Sequence, residues 1–266
     1  MSDTYFTELE KLCNGLGISL SAQEAAVYTT RLNINTEELE KMIGFFGILK
    51  KEQDARVVET CIRLSRLPKE HPKTFANFDY SNVHMKDINR LKNLETLSPL
   101  YEHRNIAFIG PQGIGKTHLA QAFGNGCCEK GLKTYFIKAT ELNAKLLNAR
   151  KNGTADKAVN GLVKPSCLII DEMGRCSFDR ENTRLFFDIV DRRYSKEGPN
   201  NIIFTSNKSP NMWKEDFDED DALLCALDRA FDDATVFMMD GDSYRGRKLE
   251  TIAVKVGGTS SLLKGN

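Results

Sequence analysis

Apolar positions fall into two regimes along the chain. In residues 1–67 they recur at helical spacing: Leu39, Met42, Ile43 and Phe46 step by three and four along one helix face. Thr36 stands before Glu37, Glu38 and Glu40, acids suited to a first turn because they complement the positive end of the helix dipole. A second apolar set, Val58, Ile62 and Leu64, carries the pattern towards Leu67. Pro68 ends it, and Pro72 follows; proline lacks an amide donor and disfavours helix in the residue before it. The pattern predicts an all-helical N-terminal domain over 1–67, binding DNA or a protein partner, and a linker with a lead-in helix over 68–104. Phe75, Phe78 and Tyr80 in that linker suit a brace on the next domain better than a ligand contact.

From Asn105 the period changes. Strands are predicted at Asn105–Ile109, Lys133–Lys138, Cys167–Asp171, Ile202–Ser206 and Thr235–Met239, with helices at Lys116–Lys130, Thr140–Lys151 and Arg180–Ser195. Short apolar strands alternating with helices imply a parallel sheet covered on both faces. The expected fold class is α/β: a five-stranded parallel sheet over 105–250, after the small helical domain and before a tail at 251–266.

Composition narrows the setting. The 266 residues leave room for one such domain and a small accessory one, and the 41% apolar content suits a packed core. No apolar run approaches the roughly 20 residues that span a bilayer. The first residues lack the basic flank and apolar stretch of a secretory signal. Seven cysteines without a Cys-x-x-Cys pair read as reduced thiols of a cytoplasmic protein. Adjacent Cys127 and Cys128 read as packing residues. Lys+Arg and Asp+Glu are both 37, so bulk charge does not drive nucleic-acid binding, although a local basic track remains open. The six acids in 214–221 and the basic residues from Arg245 onward are taken as solvated surface.

The chemistry concentrates after the first strand. Ile106–Ile109 runs into Gly110-Pro111-Gln112-Gly113-Ile114-Gly115-Lys116-Thr117, a full G-x-x-x-x-G-K-[ST] match with a strand before it and a helix after. Glycines let backbone N–H groups turn inward around phosphates, and the helix presents its positive end to them. Lys116 can reach the β- and γ-phosphates of ATP, and the Thr117 hydroxyl can hold Mg²⁺. His118 follows directly and is placed with the loop in the nucleotide site. A chance glycine-rich turn is the alternative, which the motif in this context disfavours.

Cys167-Leu168-Ile169-Ile170-Asp171-Glu172 is an apolar strand ending in two acids, at the sheet edge where open α/β folds bind ligands. Asp171 would complete the Mg²⁺ shell, and Glu172 would orient or deprotonate the attacking water. Alone, the pair would equally suit a solvated turn; the phosphate loop upstream decides for function. Asn207, ending the next strand, can hydrogen-bond that water or the γ-phosphate, or simply form a turn before Pro210. Arg193 and Arg229 each carry a guanidinium able to stabilise phosphate charge, although local sequence alone favours reading each as a surface ion-pair partner.

The combined pattern resembles the AAA+ ATPases, in the branch of bacterial helicase loaders and insertion-sequence transposition helpers, and within it the IstB-like helper ATPases. The resemblance rests on 110–120, 168–174, Asp191-Arg192-Arg193-Tyr194, Thr205-Ser206-Asn207, Trp213, Leu227-Asp228-Arg229, 241–245 and the linker 72–79, over most of 60–250. It implies that Asn207 is a sensor residue, Arg193 (or adjacent Arg192) an arginine finger for a neighbouring subunit's ATP, and Arg229 a second sensor over the γ-phosphate. It also implies an extra helix after the second strand that grips DNA. Here that is 140–160, offering Lys145, Arg150, Lys151 and Lys157, with Lys138 just before; a solvated helix face is the alternative.

The expected activity is that of an ATPase that oligomerises on duplex DNA and assists a transposase, with no membrane role. The rivals are a replicative helicase loader, a P-loop phosphotransferase acting on a small molecule and a nucleotide-gated scaffold. The loader shares the core but would prefer single strands and bind a helicase. The phosphotransferase needs a substrate segment that the sequence does not display.

Overall fold

The computed structural model describes residues 3–83, 87–218 and 227–241. Three helices open the chain: α1 (Asp3–Gly15), α2 (Ala22–Arg31) and α3 (Thr36–Leu64). Capping boxes start two of them. Ser21 and Glu24 exchange side-chain and backbone bonds at α2, and Asn35 and Glu38 do so at α3. The cap of α3 is therefore Asn35, and Thr36 is its first helical residue. Phe6, Leu9, Cys13, Ala25 and Leu39 form the small core of this unit.

The helix α3 has 29 residues, about 43 Å at 1.5 Å per residue. Its first half packs on α1. Its end carries Cys61 into the same buried cluster as Leu67, Ile106, Phe108 and Phe123. The chain then passes beside the sheet, where Phe136 donates its N–H to the Ser65 carbonyl at 2.8 Å. Packing is thus continuous across the expected boundary at Pro68. The linker aromatics brace as expected: Phe75 and Phe78 are buried, and Phe78 meets Tyr80 edge-on with ring centroids 4.8 Å apart.

Short helices α4 (Ile88–Lys92) and α5 (Ser98–Tyr101) lead into the α/β core. The core runs β1 (Ile106–Ile109), α6 (Lys116–Glu129), β2 (Thr134–Lys138), α7 (Ala139–Lys151), α8 (Ala155–Val163), β3 (Cys167–Met173), α9 (Arg180–Tyr194), β4 (Asn201–Ser206) and β5 (Thr235–Met238). The strands form one parallel sheet in the order β2-β3-β4-β1-β5. Strand residues alternate between two buried layers. Ile106 and Phe108 face the cluster under α6, and Ala107 and Ile109 face the cluster under α7, α8 and α9. Both faces are covered at the central strands, which explains the unbroken apolar runs Ile106–Ile109 in β1 and Cys167–Ile170 in β3. Cys127 and Cys128 are fully buried packing residues on α6.

Two details differ from the sequence expectation. The stretch 140–160 is not one helix. It breaks after Lys151, and Gly153 takes φ +64°, the left-handed turn that ends a helix. And β3 continues past Asp171 to Met173 through an irregularity: Ile170 pairs with Phe204 but Met173 with Ser206, so three steps on β3 oppose two on β4. Glu172 lies within it at φ +61°. Because all five strands run the same way, their C-terminal ends share one edge, which gathers the loop after β1, the acids of β3 and the end of β4.

Candidate functional site

The loop after β1 needs its glycines for measurable reasons. A Cβ on Gly110 would lie 2.1 Å from the Met239 carbonyl oxygen, and one on Gly115, at φ +96°, 2.6 Å from the Phe78 ring. Between them the backbone is free to turn its N–H groups inward. The Lys116 ammonium donates to the carbonyls of Gly110 at 2.7 Å and Pro111 at 2.6 Å, and to Asn207 Oδ1 at 2.8 Å. It is held over the loop with its charge pointed at the cradle.

The second strand end closes on the first. Thr117 Oγ1 donates to Asp171 Oδ1 at 2.7 Å, and Thr205 Oγ1 donates to the same oxygen at 2.5 Å. Thr205 also accepts the Glu172 N–H at 3.0 Å, fixing the backbone of the irregularity. The Glu172 carboxylate meets Arg175 Nη1 at 3.1 Å and Lys138 Nζ at 3.5 Å. Trp213, fully buried, donates its indole N–H to Ser206 Oγ at 3.1 Å and so braces the turn that holds Asn207.

Lys116, Thr117, Glu172, Thr205 and Asn207 line a cavity of about 690 Å³, together with Lys73, Phe78, Arg175 and Lys208, and Asp171 lies buried behind Thr117. That volume suits a nucleotide-sized ligand. His118 is tied to the linker, its Nε2 3.0 Å from the Thr74 carbonyl oxygen, and burial holds its pKa below the usual histidine value. The donor set fits Mg-ATP: hydroxyl and carboxylate oxygens of Thr117 and Asp171 side by side, an ammonium over the loop, and a second carboxylate one residue on.

Comparison with known proteins bears on this geometry directly. The family described as IstB-like ATP binding protein matches residues 16–251. The chain belongs to that family. The protein described as the ATP-binding protein of insertion sequence IS5376 from Geobacillus stearothermophilus is 36% identical to this IstB-like chain over 246 residues, covering 90% of this chain and 94% of that one. Its counterpart in insertion sequence IS21 from Pseudomonas aeruginosa is 33% identical over 190 residues, covering 71% and 70%. Among solved structures, DnaI superposes with TM-score 0.54 at 19% identity, over 68% of this chain and 95% of that one. AMPPCP-bound DnaA from Aquifex aeolicus superposes with TM-score 0.53 at 22% identity, over 64% and 51%. At these identities the likeness shows the fold alone, a parallel α/β sheet behind a phosphate loop.

The arginines of this IstB-like chain do not stand where the resemblance implied. Arg193 is 1% exposed. Its guanidinium donates to the carbonyls of Leu162, Val163, Pro165, Ser166 and Asn201, and burial pushes its pKa down to about 10. A side chain so enclosed does not extend to a neighbouring subunit; it ties the end of α8 to β4. Arg192, beside it, is on the surface and pairs with Asp188 and Asp156.

Arg229 is half-exposed, pairs with Asp191 and lies over the Phe187 ring. It shares a second cavity with Asn105, just before β1. That is the N-terminal edge of the sheet, separated from the phosphate loop by β1, about 13 Å of strand. Arg229 is therefore not a sensor over its own chain's γ-phosphate.

The expected DNA-contacting set is also divided. Lys138 faces Glu172, and Lys145 donates to Tyr135 Oη at 3.1 Å. Arg150 is engaged at 2.7 Å by Asp179, the N-cap of α9, so it joins two helices instead of facing outward. Lys151 and Lys157 are exposed. Thr205, Lys73, Arg175 and Lys208 are site residues that sequence reasoning missed. Arg175 and Lys208 lie within three residues of assigned positions, but no spacing rule singled them out.

Proposed function

We propose that the chain is a DNA-dependent ATPase that assists an insertion-sequence transposase. The observation that carries the ATPase reading is the Thr117–Asp171 pair at 2.7 Å, with the Lys116 ammonium and the Glu172 carboxylate in the same cavity. Bound Mg²⁺, held by Thr117 and Asp171, would neutralise charge between the β- and γ-phosphates. Lys116 binds the phosphates in place of the loop carbonyls. Glu172 takes the proton of the attacking water, and Asn207 orients that water while sharing Lys116.

The site is completed in trans. Of the two half-exposed arginines near the end of α9, Arg229 pairs with one carboxylate and Arg192 with two. Arg229 is the better candidate to reach a neighbour's γ-phosphate. Duplex DNA would lie along α7 and α8, with Lys151 and Lys157 on phosphates. The N-terminal helices expose Val27, Leu32, Phe45 and Ile48, side chains suited to a protein partner such as the transposase.

The test is particle size with duplex or single-stranded DNA, with and without a non-hydrolysable ATP analogue. Defined assemblies that need both duplex and analogue support the helper reading. A monomer under every condition removes the shared site. Assembly on single strands alone turns the reading to a helicase loader.

A further inference from the structure

Glu172 does not sit as an ordinary strand residue. Its backbone is in the left-handed region within the β3 irregularity, pinned through its N–H to Thr205. Arg175 reaches back to it because Gly174, at φ +87°, reverses the chain between them. A Cβ on Gly174 would lie 3.1 Å from Lys208 Cδ and 3.2 Å from Asp216 Oδ2, so that turn is packed in place. The result is an ion pair of 3.1 Å in which the Arg175 side chain stays 44% exposed and lines the same cavity as Lys116 and Asn207.

We propose that Arg175 is a nucleotide-responsive clamp: its guanidinium engages Glu172 as the structure shows, and passes to the terminal phosphate when a triphosphate binds. The inference rests on the ATPase reading above, in that Glu172 is the base. The physical argument is a competition between two acceptors. A carboxylate offers one negative charge; a terminal phosphate offers about two and three oxygens, and the planar guanidinium fork matches either. Once Arg175 moves, the Glu172 carboxylate keeps the 3.5 Å contact to Lys138, and the oxygen that Arg175 covered faces the cavity. A diphosphate carries no third phosphate and leaves the clamp closed. Arg175 thereby distinguishes ATP from ADP and makes the base available only with the triphosphate in place.

The experiment is calorimetric titration of the full chain with ADP and with a β,γ-imido ATP analogue, for wild type, Arg175→Ala and Arg175→Lys. Arg175→Ala is expected to lose about tenfold in its preference for the triphosphate analogue, with ADP affinity unchanged within about twofold. Arg175→Lys keeps the charge without the fork and is expected to recover part of the preference. An unchanged preference, or an equal loss of both affinities, overturns the proposal; the second outcome would mean that Arg175 only pins its loop. Wild-type protein that binds neither nucleotide defeats the ATPase reading itself, and the clamp with it.

Discussion

The Lys116 ammonium lies 2.8 Å from Asn207 Oδ1, so the phosphate-loop cation and the last turn of β4 form one unit across the central strands. The two residues differ in what their removal takes away. Lys116→Ala deletes the charge that meets the phosphates and is expected to weaken nucleotide binding by at least about a hundredfold. Asn207→Ala leaves that charge and removes the group that orients water. Its nucleotide affinity should stay within about threefold, while kcat falls about ten- to a hundredfold. Equilibrium binding of a fluorescent nucleotide beside steady-state phosphate release separates the two.

Arg193 is a structural residue. Replacing it with Met removes its hydrogen bonds to five carbonyls inside the fold, and the chain is expected to lose about 3–5 kcal/mol of stability. Arg192→Ala removes surface pairs with Asp188 and Asp156 and should leave the unfolding midpoint nearly unchanged. Urea unfolding midpoints test both. An Arg193→Met protein as stable as wild type would remove the argument that this arginine is a tie rather than a finger.

This pair shows where sequence reasoning stops. Arg192 and Arg193 are adjacent in one helical run, and helix geometry turns neighbours about 100° apart. Which of them points inward depends on the end of α8, about thirty residues earlier in the chain, and no local pattern carries that information. The phosphate loop was legible because its chemistry is local: glycines, lysine and threonine act within eight consecutive residues. The strands were legible because burial on both faces makes the cores of β1, β3 and β4 short apolar runs between helices. The irregularity at Glu172 was not, since it depends on the offset between β3 and β4. Arg229 was assigned a role on the wrong side of the sheet for the same reason: its motif is local, but its position relative to the phosphate loop depends on the strand order.

A shared site has a signature in mixtures. Arg229→Ala and Glu172→Gln proteins are each expected to hydrolyse ATP at least about a hundredfold more slowly than wild type. Mixed with duplex DNA, they should regain activity, because some sites pair an intact Glu172 from one subunit with an intact Arg229 from its neighbour. Rates in a mixing series check this; no recovery at any ratio argues that Arg229 does not act in trans.

Lys196 gives a pH dependence. Its ammonium donates to the carbonyls of Lys164 at 2.9 Å and Pro165 at 2.8 Å, yet burial, with Arg193 nearby, pushes its pKa down from the ordinary 10.5 to about 8. Between those values the unfolded chain binds the extra proton and the folded chain does not, so this residue's contribution to stability rises with pH across that window. Wild type should therefore gain stability relative to Lys196→Met from about pH 8 to 10.5, as read by urea midpoints for both proteins at each pH. A constant difference between them would contradict the burial argument.

The most direct test of the account is ATP hydrolysis by Glu172→Gln in the presence of duplex DNA, measured beside its affinity for ATP. The account predicts wild-type affinity with phosphate release lowered by at least about a hundredfold, because the substitution keeps the shape of the site and removes its base. Turnover at the wild-type rate would contradict it and leave the cavity a nucleotide site without the proposed chemistry.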